Sequence, residues 1–241
     1  MDILAAGAVV LFGALVRGAT GFGFALVSVP LLTIFWAPLF ATGVALVLDL
    51  VASAVLLRSG VMRHLVQRDF ILIGISGTIG AVIGAFAITE LPARPAAIVL
   101  NAAVLLSAIA VLARVRWRGL DHPAAALLVG LLTGMLIGAF AFGGTLLVAW
   151  LIAVGRTPQQ TRALLTIVFA LFGSLALVIR LALGALAEGT LTWALFLAPI
   201  TVLGILAGTY VLRFIHPEIW KRGVAVLLIA FAVTGLAGAA G

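Results

Sequence analysis

Seven stretches of this chain contain no charged residue: Gly18–Leu48, Phe70–Thr89, Pro95–Ala113, Pro123–Gly155, Ala163–Ile179, Gly189–Leu212 and Gly223–Gly241. A helix that crosses a bilayer needs about 17–25 apolar residues. A soluble domain carries about 25% charged residues, whereas this chain of 241 residues has 9%, with 65% hydrophobic residues. Too little charge remains to coat a water-facing surface. A soluble globular domain, a disordered region and a secreted disulfide scaffold are excluded, and the fold class is an all-α polytopic membrane protein. In a soluble protein the net charge of +7 and an isoelectric point near 11.7 would point to nucleic acid. Here basic residues between spans set orientation instead, and no nucleic-acid partner is expected. With no cysteine, disulfides, thiol catalysis and Cys-ligated metals drop out. Met1-Asp2 lacks a basic leader region, so the opening apolar stretch reads as a retained segment.

An internal repeat organises the chain. At an offset of 120 residues, Gly18, Ala19, Phe22, Gly23, Leu26 and Leu31 fall on Gly138, Ala139, Phe142, Gly143, Leu146 and Leu151, and Pro38 falls on Pro158. At an offset of 124, Gly80 and Gly84 fall on Gly204 and Gly208. Two homologous halves are expected, 1–118 and 119–241. Each opens with a long apolar segment that is Gly-rich in its middle (3–35; 124–154). Three ordinary spans follow: 39–57, 70–89 and 95–113, then 159–179, 191–212 and 223–240. The Gly80/Gly84, Gly134/Gly138 and Gly204/Gly208 spacings place small residues on one helix face, where they permit close packing.

A continuous helix over 3–35 would be about 50 Å long against a hydrocarbon core of about 30 Å. It also contains Gly18, Gly21, Gly23 and Pro30, so it must break or double back. Loop charge chooses between these. If every segment crosses, seven basic residues face one side and six the other, which gives no orientation. If both Gly-rich segments double back, one side holds Arg58, Arg63, Arg68, Arg114, Arg116, Arg118, Arg156, Arg162, Arg213, Lys221 and Arg222, against Arg94 and Arg180 opposite. Eleven against two is a positive-inside bias. It places loops 58–69, 114–122, 156–162 and 213–222 in the cytoplasm and both termini outside it. Each half then has one Gly-broken re-entrant hairpin plus three transmembrane helices. Three crossings per half make the repeats inverted, an arrangement common among transporters.

Irregular backbone at membrane depth persists where it is buried in protein or lines a cavity. Gly18-Ala-Thr-Gly-Phe-Gly23 and Gly138-Ala-Phe-Ala-Phe-Gly-Gly144 are therefore candidate binding loops. Each precedes an apolar stretch (24–35; 145–154) that can begin a half-helix, whose free amides and positive dipole end suit an anion. The alternative is a bend without a ligand. The candidate substrate-binding residues are Arg17, Gly18, Thr20, Gly21, Phe22, Gly23, Gly138, Phe142, Gly143, Gly144 and Thr145.

Gly18-x-x-Gly21-Phe22-Gly23, followed by Leu26-Val27-x-Val29-Pro30-Leu31-Leu32 and echoed by Gly138-x-Phe140-x-x-Gly143-Gly144, resembles the sulfite exporter family (TauE/SafE, or TSUP). The second half departs by carrying Trp150-Leu151 where the first carries Pro30-Leu31. The resemblance covers the whole chain. It implies secondary transport of sulfite, sulfonates such as taurine or sulfoacetate, and some carboxylates, in a bacterial-type plasma or inner membrane. Sulfur enters through this resemblance alone.

An ionisable residue inside a span is a functional candidate by default. Arg17 precedes the first Gly-rich turn, and the repeat places Ile137 opposite it; its guanidinium suits a sulfonate or carboxylate, or snorkels or forms an ion pair. Asp49 lies mid-span opposite Phe169, with three roles open: pairing with Arg17, carrying a coupling proton, or capping a bent helix. His64, His122 and His216 fall in loops, too scattered for a metal or a catalytic dyad. Gln159, Gln160, Thr161 and Arg162 follow Pro158 at a helix start, where capping accounts for them. Asn101 and Ser107 read as helix-packing groups, and Trp36, Trp117, Trp193 and Trp220 as an aromatic belt. No Walker, dinucleotide or zinc motif is present, and no cofactor is called for.

The resulting expectation is a non-enzymatic secondary transporter of small anions, working by alternating access with substrate held between the two Gly-rich breaks. A passive anion channel and a non-transporting membrane subunit are the alternatives. The bilayer and a small anion are its partners, and a second copy of the chain is admitted.

Overall fold

In lipid an α-helix satisfies its own backbone groups, and the long apolar runs take that form. The computed structural model describes residues 3–90, 118–141, 143–212 and 226, and every regular element among them is helical. The helices are α1 (Ile3–Thr20), α2 (Phe24–Leu32), α3 (Pro38–Arg58), α4 (Gln67–Glu90), α5 (Pro123–Phe140), α6 (Gly144–Ala153), α7 (Pro158–Ala182) and α8 (Thr190–Leu212), with 3-10 turns at Val61–His64 and Arg118–Asp121. Proline opens α3, α5 and α7, where its missing N–H costs nothing. Thr157 and Gln160 cap α7 reciprocally. Six of the helices, all but α2 and α6, are long and apolar enough to cross a membrane. The expected spans 95–113 and 223–240 lie outside the described residues.

Helix α7 runs beyond its expected bounds of 159–179. It holds Arg162 near its start, as the helix start after Pro158 implies, although the charge count places that residue with loop 156–162. It also takes in Arg180, expected in a loop.

Two helix pairs dominate the packing, α4 with α5 and α1 with α8. Glycine makes both possible. A Cβ on Gly134 would come within 2.0 Å of the Gly77 carbonyl oxygen, and one on Gly208 within 2.2 Å of the Leu15 carbonyl oxygen. Gly80 meets Leu131 and Gly84 meets Met135, while Gly204 meets Leu11 and Ala14 and Gly208 meets Leu15 and Ala19. Residue numbers rise together, so both pairs are parallel. Helix α3 packs against α7 and α8, and α7 also packs against α4.

The short helices turn back on their predecessors. A Cβ on Gly13 would meet Phe24 O and Ser28 Oγ, and one on Gly23 would meet Val16, so α2 runs antiparallel to α1. Gly143 faces Thr133 and Ile137 in α5, and Trp150 Nε1 in α6 donates to Leu120 O, just before α5, at 2.8 Å. Two large apolar cores result among the described residues, beside a small cluster of Leu46, Ala141 and Ala176. One joins Phe22 to Leu147, Leu151, Phe169 and Phe172; the other joins Val10, Phe24 and Leu32 to Val44, Leu48 and Leu197. Outward-facing Leu4, Ile75, Val178, Leu195 and Leu203 are exposed, as expected of side chains that face lipid.

Candidate functional site

Helix α1 stops where glycine lets it. Gly21 N–H bonds to Arg17 O at 2.8 Å, and Gly21 and Gly23 then take φ of 86° and 93°, a left-handed conformation costly for other L-residues. The Thr20 hydroxyl secures the turn, donating to Phe22 O at 2.7 Å. Helix α2 starts at once, with Gly23 as its N-cap.

Arg17 ties this break to two other helices. Its side chain is 0% exposed. Nη1 donates to Gly21 O, Nη2 donates to Ser53 Oγ at 2.9 Å, and Nε lies 3.3 Å from Asp49 Oδ1. Its Cζ stands 4.2 Å from the centre of the Phe169 ring. Asp49 and Ser53 are one turn apart on α3, so a single helix face meets the guanidinium. An unpaired charge here would be costly, and Arg17 and Asp49 neutralise each other.

The second break repeats the first in part. Ala141 N–H bonds to Ile137 O at 2.9 Å, the same bond as at Gly21 and Arg17, 120 residues on. Ala141 is also left-handed, at φ 57°, where alanine costs about 1–2 kcal/mol. Gly143, however, is extended, and α6 starts from it. Ile137 supplies no cation. Arg180 touches this break instead, donating from Nη2 to Ala139 O at 2.8 Å.

The two breaks meet. Phe22, Gly23, Ala141, Gly143, Gly144, Thr145 and Phe169 surround a cavity of about 10 Å³, room for one water molecule. A Cβ on Gly144 would come within 2.8 Å of Phe169 and 3.3 Å of Phe22, so the wall has no slack. The first turns of α2 and α6 both abut this space, and their free amides make it electropositive. Thr145 lines it, and its hydroxyl is buried without a hydrogen-bond partner among the described residues.

Of the residues expected at the site, Phe22, Gly23, Gly143, Gly144 and Thr145 share this cavity, and Arg17, Thr20 and Gly21 hold the first break behind it. Gly18 packs against Ile205 and Gly208 of α8, and Gly138 against Ala81 and Ala85 of α4. Asp49 is reached through Arg17. Phe142 lies outside the described residues. Sequence reasoning missed Ser53 and the ring of Phe169; the one available signal was their register, Ser53 one turn from Asp49 and Phe169 at its repeat position. Among the described residues no cluster of three His, Cys, Asp or Glu side chains could hold a metal.

A polar face lies at one end. Arg156 donates to Asp69 through Nε at 2.7 Å and Nη2 at 2.9 Å, a bidentate pair. Asp121 lies 3.3 Å from Arg68 and 3.6 Å from Arg156. The bond to Asp69 pushes the Arg156 guanidinium above its usual pKa. Segments from three loops expected to be cytoplasmic, 58–69, 114–122 and 156–162, therefore meet on one face.

Residues 5–235 match the family model described as Sulfite exporter TauE/SafE. No curated protein and no solved structure matches the chain. The match, with six membrane-length apolar helices, makes this an integral multi-pass membrane protein of a transporter family.

Proposed function

The chain belongs to the sulfite exporter TauE/SafE family, and we propose that it is a secondary transporter of sulfite or of sulfonates such as taurine and sulfoacetate, working by alternating access. The carrying observation is the meeting of the two Gly-rich breaks around one cavity, with two helix starts beside it and Thr145, whose buried hydroxyl has no partner among the described residues, in its wall. Helix starts and a free hydroxyl donate hydrogen bonds, and a small oxyanion needs donors. The room for a single water argues for a closed conformation. An anion enters only after the breaks separate, so flux is tied to movement rather than to an open pore. Arg17, Gly18, Thr20, Gly21, Phe22 and Gly23 form one side of the binding region in this reading, and Gly138, Phe142, Gly143, Gly144 and Thr145 the other.

The two halves, 1–118 and 119–241, are taken as inverted repeats. Three observations support this: the parallel pairs α1/α8 and α4/α5, the recurrent bond at Gly21 and Ala141, and the return of α2 and α6 along their predecessors. Location in a bacterial-type inner membrane follows the same reading. Purified protein in liposomes should exchange sulfite or a sulfonate in counterflow, with saturation. Flux that never saturates and shows no counterflow would favour a passive channel. No flux and no binding over a panel of sulfite, sulfonates and carboxylates would leave a non-transporting subunit.

A further inference from the structure

Helix α7 carries two buried guanidinium groups outside the site described above. Arg162 is 8% exposed and Arg180 3%. They are eighteen residues apart, about five helical turns, so they share one face and stand about 27 Å apart. That is close to the thickness of the hydrocarbon core, about 30 Å. Phe169, which lines the closed cavity, lies on the same face between them, about two turns from Arg162 and three from Arg180.

Neither arginine has an ion pair among the described residues, whereas the buried carboxylates Asp49 and Asp69 are paired with Arg17 and Arg156. Arg162 donates from Nη2 to Thr209 Oγ1, and its Nε is buried without a partner. Arg180 bonds Ala139 O, and its Nε and Nη1 are buried without partners. Arginine stays protonated, and a buried cation without a counter-ion is costly. Each is placed at one of the breaks. A Cβ on Gly21 would come within 2.7 Å of Arg162 Cγ, and Ala139 lies in the last turn of α5. A recess opens at each end of α7, lined by residues next to each arginine in sequence and not by the arginine itself. One of about 530 Å³, at the start of α7, is lined by Arg63, His64, Thr157, Gln159 and Gln160. The other, of about 280 Å³ at its end, is lined by Leu181, Gly184, Glu188 and Thr190.

We propose, resting on the transport reading above, that Arg162 and Arg180 are the two substrate-binding cations of the path, one on each side of the closed cavity. A small oxyanion binds one of them on arrival and the other before release, passing the Phe22–Gly144–Phe169 contact between. The anion supplies the counter-charge that neither guanidinium finds among the described residues. Arg63 lines the first recess and Glu188 the second, so the Arg162 side holds the anion more tightly.

The test uses the full chain in liposomes of one orientation, with sulfite as the probe added to either face. Arg162→Gln should raise the half-saturating sulfite concentration by about tenfold or more, the effect of losing a charge-assisted hydrogen bond, on the face that carries Arg156. Arg180→Gln should do so on the opposite face. Arg162→Lys and Arg180→Lys, which keep the charge, should show smaller shifts on the same faces, and they decide the matter if a glutamine variant does not insert. Folded variants with unchanged saturation on both faces, beside a wild type that carries sulfite, refute this assignment alone. A wild type that neither binds nor carries sulfite refutes the sulfite transport reading and the assignment with it.

Discussion

Replacing Arg17 by alanine removes the Asp49 pair, the bonds to Gly21 O and Ser53 Oγ, and the contact with Phe169. It also leaves the Asp49 carboxylate buried among apolar residues. Breaking a buried pair in this way costs about 3–5 kcal/mol, which for a chain of this size corresponds to a fall in Tm of about 6–20 °C. Arg17→Lys keeps one charge but cannot reach Asp49, Ser53 and Gly21 O together, and should lose about 2 kcal/mol, the worth of a hydrogen bond to a charged group. The decisive variant is Arg17→Ala/Asp49→Asn. With no charge left to bury, it should be more stable than the two single changes predict together, by about 1–3 kcal/mol. Melting of the detergent-purified protein measures this, and liposome counterflow is read on the same samples. Recovery of both stability and transport would make Arg17 a positioning residue that neutralises Asp49 and holds the Gly21 turn. Stability without transport would put its guanidinium on the anion. Additive losses in the double variant would refute the coupling that the 3.3 Å contact implies.

Two further perturbations address the packing and the cavity, and one the topology. Gly134→Ala should force α5 from α4, because its Cβ would lie 2.0 Å from Gly77 O; the expected loss is about 1–3 kcal/mol, and an unchanged Tm would contradict the close approach. Thr145→Val removes a buried hydroxyl without a partner, so Tm should hold or rise while the half-saturating sulfite concentration increases; unchanged transport would take Thr145 out of the site. In this cysteine-free chain, single cysteines at 60 and 118 should label from the cytoplasm and those at 1 and 241 from the other side. Labelling of 1 and 118 from the same side would end the hairpin topology.

What could be read from the sequence was whatever leaves a one-dimensional mark. Uncharged length gave the helices, and the glycine clusters gave the breaks to within a few residues, because left-handed positions such as those at Gly21 and Gly23 favour glycine, although Ala141 takes one at the second break. Pairing across space leaves no such mark. Gly134 and Gly138 read as a packing face, but nothing in them names α4 as its partner. Asp49 was a lone charge with three roles open until α3 placed it 3.3 Å from Arg17. Ser53 and Phe169 are residue types common in any span, and only the fold sets them around a guanidinium. Arg180 was counted with a loop because the uncharged stretch ends at Ile179, yet α7 continues to Ala182. Taking both Arg162 and Arg180 out of the loop count leaves ten against one, so the orientation argument is unaffected.

The two breaks are chemically unequal at equivalent positions, and the inequality is concentrated at the tips. Gly21 corresponds to Ala141, Arg17 to Ile137 and Asp49 to Phe169 in the repeat, while the backbone bond closing each helix is the same. The first tip gathers two buried cations, Arg17 and Arg162, both against Gly21, and the Arg17–Asp49 pair offsets part of that like-charge cost. The Arg17–Asp49 pair pins the first break to α3, whereas the second break holds a left-handed alanine and accepts a bond from Arg180. On the two-half reading, the chain keeps a common frame for two hairpins while the groups that hold each tip differ.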